Sequence, residues 1–373
     1  MAIHGICSDR FSAVREVFAD SLRSGADVGA SVAVHLDGEP VVDLWGGYAD
    51  PARTRPWERD TLTNVWSMTK TMTALCALVL VDRGELDLRA PVGKYWPEFG
   101  TAGKDHIEIR HLLGHTAGLP DWDRPMTLGD LCDWEKATSL LARQKPRWLP
   151  GTASGYHRFT HGFLIGEVIR RISQQTVGTF FADQIAAPLD ADFHIGLPAE
   201  DDHRVSEVIP APGPAPEANP RVTIPVGPYV TAQDTWTTQW HRAEIPAAAG
   251  YGNARSVAAI QSVLTSGGRT ASTRLLSEAT CRAVFEEQSH GIDLVLGIPL
   301  RFGIGYALNA DDAPVTTANA HTSYWGGRGG SLIVNDHDAR MTITYVMNQM
   351  SHLGLTDPRG HKLLRSAYEA LTR

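Results

Sequence analysis

The stretch Thr71-Met72-Thr73-Ala74-Leu75-Cys76-Ala77-Leu78-Val79-Leu80-Val81-Asp82-Arg83-Gly84 constrains the fold more than any other part of this chain. It holds no proline, is apolar nearly all round, and closes on an arginine and a glycine, which reads as a helix with an Arg-Gly stop. A helix without a polar face has to be buried on every side. At its head stands Ser67-Met68-Thr69-Lys70. Side chains three apart share a helix face, so the Lys70 amine can lie beside the Ser67 hydroxyl. An apolar helix gives no surface reason for a lysine in its first turn, and a buried lysine is costly unless paired or neutral. A neutral lysine is a general base, and a helix N-terminus offers free N–H groups to developing negative charge. Ser-x-x-Lys also arises by chance, with the serine a plain N-cap, so its surroundings have to decide.

Strand signals gather at the two ends of the chain. After an opening helix from about Ser8 to Arg23, the segment from Ala30 to Trp45 reads as two strands around the Asp37-Gly38 turn. Arg301–Leu308, Ser331–Asn335 and Arg340–Met347 read as further strands, the last two joined by the polar turn Asp336–Ala339, and a final helix ends at Leu371. Between the ends the patterns are helical, as in Thr127–Ala142 and Gly162–Ser173. This layout predicts an α/β (α+β) architecture, an antiparallel sheet flanked by helices with an inserted mainly helical domain. Residues 1–90 and 245–373 would form the α/β domain, residues 91–244 the helical one, and an active site would lie in the cleft between them. Ile209–Pro220, with its five prolines, reads as a surface loop bordering that site.

With 373 residues, 43% hydrophobic and 20% charged, the chain has the composition of an ordinary globular protein. The net charge of −8 argues against a nucleic-acid partner, which wants a basic face. The first ten residues lack a charged segment followed by an apolar run, and Leu75–Val81 is far too short to span a bilayer, so the expectation is a cytoplasmic protein with no membrane partner. Cys7, Cys76, Cys132 and Cys281 follow no metal spacing and read as free thiols. His111/His115 and His157/His161 are each four apart, but neither pair has a third ligand at a plausible spacing, so no metal and no cofactor is expected. The Gly-x-Ser-x-Gly elbow of α/β-hydrolases is absent.

Two further stretches carry chemistry. Pro150-Gly151-Thr152-Ala153-Ser154-Gly155-Tyr156 sets a tyrosine after a glycine-rich turn and ahead of a helix. A phenol there can pack on the surface, or it can work with Lys70, whose ammonium would favour phenolate and share a proton relay from Ser67 to a leaving group. Tyr324-Trp325-Gly326-Gly327-Arg328-Gly329-Gly330-Ser331 leads into a strand and lacks the Gly-Lys-Ser/Thr ending of a phosphate loop. Glycines there suit close backbone approach, as where a substrate carbonyl meets a backbone N–H.

In this order the motifs resemble those of the serine β-lactamase and penicillin-binding-protein-like superfamily, and Leu112-Leu113-Gly114-His115-Thr116-Ala117-Gly118-Leu119 is similar to that superfamily's Leu-Leu-x-His-Thr-Ser-Gly-Leu segment. Within it the chain looks most like the class C β-lactamase-like branch and the family VIII carboxylesterases, over about Gly29 to Met350. The resemblance implies Ser67 as nucleophile, Lys70 as its base and Tyr156 as the second proton-transfer group. It also implies an oxyanion hole from the backbone N–H groups of Ser67 and Arg328, with Trp325, Gly326, Gly327 and His157 against substrate. Where β-lactam enzymes carry Lys-Thr-Gly this chain has Trp325-Gly326-Gly327, and where they carry Tyr-x-Asn it has Tyr156-His157-Arg158. Loss of that cation and that amide favours small-molecule esters with an uncharged acyl or alcohol portion against the indole. An acyltransferase or an amide or β-lactam hydrolase could use the same site, and a non-catalytic sensor is a distant alternative. Neither the natural ester nor the oligomeric state follows from these motifs.

Overall fold

Asp37 and Gly38 both take positive φ, 52° and 85°, the conformation that a two-residue hairpin turn demands and that the Asp-Gly pair accepts most readily. In the computed structural model, which describes residues 2–217, 219–270 and 273–372, this turn joins two neighbouring strands of a nine-stranded sheet. Among the described residues the strands in chain order are β1 Ile3–Cys7, β2 Gly29–Leu36, β3 Glu39–Gly47, β4 Thr63–Asn64, β5 His194–Ile195, β6 Gly250–Gly252, β7 Ser289–Ile292, β8 Pro299–Phe302, β9 Ala307–Leu308, β10 Thr322–Gly326, β11 Leu332–Asp336 and β12 Met341–Met347. The large sheet runs β1-β3-β2-β12-β11-β10-β9-β8-β7, all neighbours antiparallel, and β4-β6-β5 form a small second sheet.

The join between the two ends of the chain is the β2/β12 pair, in register from Leu36 opposite Met341 to Ala30 opposite Met347. Both strands are buried along nearly their whole length, because helices cover both faces. The helix Ala254–Thr265 lies on one face, with Thr265 Oγ1 3.2 Å from Thr342 Oγ1. The helices Ser12–Ser24 and Pro358–Leu371 lie on the other, where Gly360 packs on Tyr345. The helix Thr69–Asp82 is buried at every position from Thr69 to Leu80, as its composition requires, and ends at Arg83 and Gly84, the latter with φ +72°. It packs on the helix Thr160–Ser173. No helix among the described residues is long and apolar enough to cross a membrane.

Several details depart from the sequence reading. The opening helix begins at Ser12, and an edge strand, β1, precedes it. The strand expected over Arg301–Leu308 is broken into β8 and β9 around Gly305, whose φ is +80°. Thr127–Ala142 is two helices, Leu128–Leu131 and Trp134–Arg143, because Thr127 and Asp133 each cap a new N-terminus. Described residues of Ile209–Pro220 form neither helix nor strand beyond an isolated bridge from Ile209 to Gln349, while Ala218 and the chain-end positions 1 and 373 lie outside the described residues.

Candidate active site

Ser67 sits in a single 3₁₀ turn, Trp66–Met68, that runs straight into the buried helix. The turn is tied at both ends. Val65 donates its N–H to the Gly250 carbonyl at 2.9 Å, and Thr69 Oγ1 donates to the Trp66 carbonyl at 2.6 Å while accepting from the Gly250 N–H at 2.9 Å. Trp66 has φ +50°, a left-handed conformation that costs a bulky residue ~1–3 kcal/mol. Those anchors hold it there and turn the next side chain, Ser67, into the cleft.

Lys70 is 1% exposed. Its Nζ donates to the Arg158 carbonyl at 2.6 Å and the Ala247 carbonyl at 3.0 Å, and lies 3.4 Å from Ser67 Oγ. Burial, reinforced by the Arg158 guanidinium, holds its pKa well below the ordinary lysine value of 10.5. The same Nζ lies 4.7 Å from the centre of the Tyr156 ring.

Tyr156 is buried, with its hydroxyl near Ser67 and the Trp325 indole but within direct hydrogen-bond reach of neither. The expectation that a lysine ammonium would favour phenolate does not hold. Burial raises the phenol and outweighs the lowering by Ser67, Trp325 and Arg158, while burial lowers the lysine. Asp293, which sequence reasoning missed, fixes the tyrosine backbone. Its Oδ1 accepts from the N–H groups of Tyr156, Val295 and Leu296 at 3.0, 2.9 and 2.9 Å, and the residue is fully buried. Asp293→Ala is expected to leave those donors orphaned and lower unfolding stability by ~3 kcal/mol, read from a urea denaturation midpoint.

His157, expected against substrate, lies beneath the site. It is fully buried, Nδ1 donates to the Gly155 carbonyl at 2.7 Å, and Nε2 accepts from the Leu119 N–H at 3.1 Å. Burial takes its pKa down to about 3, which favours the neutral ring. His115 and His161 stack beside it, ring centres 4.7 Å apart. Nδ1 of His115 is taken by the His157 N–H at 3.1 Å, and no group of three potential metal ligands forms among the described residues.

Trp325, Gly326 and Gly327 line the same cleft as Ser67, Tyr156 and Arg328, a volume of about 490 Å³. The Trp325 ring packs on Tyr156, centres 5.1 Å apart. At Gly327 a Cβ would lie 2.3 Å from the Val65 carbonyl oxygen and from Ser331 Oγ, so only glycine lets the strand end approach the Ser67 turn this closely. Among the described residues the backbone N–H groups of Ser67 and Arg328 donate no hydrogen bond. Among the described residues the proline-rich loop meets the cleft through Gly213, whose carbonyl faces His352, while Pro228, Tyr229 and Val230 line the cleft itself.

The family model for Beta-lactamase matches residues 14–365. The chain is 32% identical to the esterase/beta-lactamase LipL of Mycobacterium tuberculosis, over all of this chain and 90% of that one. Its fold is similar to the crystal structure of a family VIII carboxylesterase, with a TM-score of 0.91 and 38% identity over 99% of this chain and 100% of the other. EstA from Arthrobacter nitroguajacolicus Rue61a matches with a TM-score of 0.85 and 30% identity, over 100% of this chain and 99% of the other. A match that spans nearly the whole sequence, on a fold whose serine and lysine meet at the head of a buried helix, settles the kinship: the chain belongs to the Beta-lactamase family.

Proposed function

We propose that this protein is a serine carboxylesterase that cleaves small-molecule esters through an acyl-enzyme on Ser67. The observation that carries the reading is the hydrogen bonding of Lys70. A neutral amine has two N–H bonds and one lone pair; two carbonyls take the N–H bonds, which leaves the lone pair for the Ser67 hydroxyl. Burial keeps the amine neutral, so it can accept the serine proton as Oγ attacks the ester carbonyl. The Tyr156 phenol then donates its proton to the departing alkoxide and is reprotonated from the Lys70 ammonium. Water, deprotonated by the same pair, releases the acid and restores Ser67. The carbonyl oxygen would take its negative charge against the N–H groups of Ser67 and Arg328.

Likeness to esterases supports ester substrates, as does the Trp325-Gly326-Gly327 sequence where β-lactam enzymes carry a lysine. In this reading Trp325, Gly326 and Gly327 bind substrate. The cleft divides residues 1–90 and 245–373 from residues 91–244. The test is p-nitrophenyl acetate hydrolysis beside a chromogenic cephalosporin, with added alcohol acceptors to separate hydrolysis from acyl transfer. Ester turnover far above cephalosporin turnover is expected, and the reverse order would overturn the assignment. Gly327→Ala is expected to push Arg328 N–H away from the oxyanion and lower kcat about 100-fold, the cost of one such donor; an unchanged kcat in the folded variant would remove Arg328 from the hole.

A further inference from the structure

We propose that the esters this enzyme prefers carry a carboxylate, and that the Arg158 guanidinium receives it. The inference rests on the Ser67 esterase reading and adds the substrate class. Arg158 is held at the reaction centre by its own backbone, since its carbonyl takes the Lys70 Nζ at 2.6 Å, and that Nζ is 3.4 Å from Ser67 Oγ. Arg158 lines the same cleft as Ser67 and Trp325. A group bound there lies within one arginine side chain of the nucleophile, so the carboxylate and the scissile carbonyl belong to one small molecule.

The two arginines of the cleft are used differently. Arg328 is committed to the protein: its guanidinium donates to the Val230 carbonyl and to the Tyr229 hydroxyl, the latter at 3.0 Å, and stacks on the rings of Trp66 and Tyr229 at 5.3 and 5.0 Å. The Arg158 guanidinium is partly buried, yet among the described residues it makes no hydrogen bond to the protein and no carboxylate comes within 4.0 Å. None of its nitrogens is sealed away from the cleft, so its five donors stay open to a ligand there. The charged and titratable groups around it are Tyr156, Arg328, Asp121, Tyr229 and Lys70. Asp121 offers the one negative charge, and it is turned elsewhere, with Oδ2 accepting from the Gly227 N–H at 2.7 Å and its carboxyl raised by burial. Burial in turn lowers the pKa of Arg158.

A planar fork in this state matches a carboxylate, which takes two parallel hydrogen bonds from it. The arrangement also revises the expectation drawn from Trp325-Gly326-Gly327. The cation missing from that strand is supplied from the tyrosine segment, so an uncharged portion can lie on the indole while the anionic portion meets Arg158.

Two ester pairs test this. On the acyl side, mono-p-nitrophenyl glutarate is compared with its methyl ester; on the alcohol side, 4-carboxyphenyl acetate is compared with its methyl ester. The wild-type enzyme is expected to favour the anionic member of at least one pair by about tenfold or more in kcat/KM. Arg158→Gln should abolish that preference and Arg158→Lys should keep part of it. Each ratio is taken on one protein sample, so partial misfolding cancels. Preference for the neutral member in both pairs, or an unchanged ratio in Arg158→Gln, overturns the proposal. Failure of the Ser67 reading would show differently, as wild-type turnover of either member by Ser67→Ala.

Discussion

Ser67→Ala is expected to lower p-nitrophenyl acetate turnover by on the order of 10⁴-fold or more, because Ser67 is the hydroxyl that the Lys70 amine reaches. The variant should fold. Among the described residues the side-chain hydrogen bond of Ser67 Oγ is the 3.4 Å approach of Lys70 Nζ, and the turn is held by Val65, Thr69 and Gly250. Two readouts separate loss of chemistry from loss of structure. The thermal midpoint should stay close to wild type, and intact mass after a brief exposure to ester should show one acyl group on wild type and none on the variant. Equal turnover by both proteins would remove Ser67 from the mechanism whatever the fate of Lys70.

Lys70→Met is expected to abolish acylation and to expose the charge state of the lysine through stability. In the wild type the native lysine titrates well below 10.5, the value the unfolded chain should show. Between those two values the unfolded state binds a proton that the native state does not, so stability rises with pH through that window. The methionine variant has no such group. The difference in stability, wild type minus variant, should therefore grow by up to about 1.4 kcal/mol per pH unit from neutral toward alkaline pH, read from urea midpoints at several pH values. A flat difference would mean a lysine that stays charged in the native protein, and then it could not be the base. The acid limb of kcat/KM should report the same titration from the other side, with activity falling as Lys70 takes up a proton.

The parts of this protein legible in its sequence are those that need a particular side chain. A serine and lysine three apart, a tyrosine after a glycine turn, and two glycines at a strand end are each forced by chemistry or by space, and Gly327 shows why: a methyl group would strike the Val65 carbonyl. What stayed hidden was carried by groups that every residue possesses. The acceptors that set the Lys70 geometry are the carbonyls of Arg158 and Ala247, and nothing in either residue type announces that role. His157 was misplaced for the opposite reason, since its polarity suggested substrate while both its ring nitrogens serve backbone groups below the site. The edge strand β1 escaped because Ile3-His4-Gly5-Ile6-Cys7 is short and mostly turned to solvent, so alternation had no core to record.

The β2/β12 pairing reaches from the start of the chain almost to its end, and the approach of Gly327 to Val65 spans a comparable length of sequence. Contacts of such separation form only after most of the chain has been confined, which makes folding slow for a protein of this size. The helix carrying Lys70, with the turn of Ser67 at its head, can form early and locally, but the Ser67 hydroxyl gains the opposing strand end only when the last strands add to the sheet. Recovery of ester turnover during refolding should accordingly lag behind recovery of helical circular dichroism, with enzymatic activity acting as a clock for closure of the sheet.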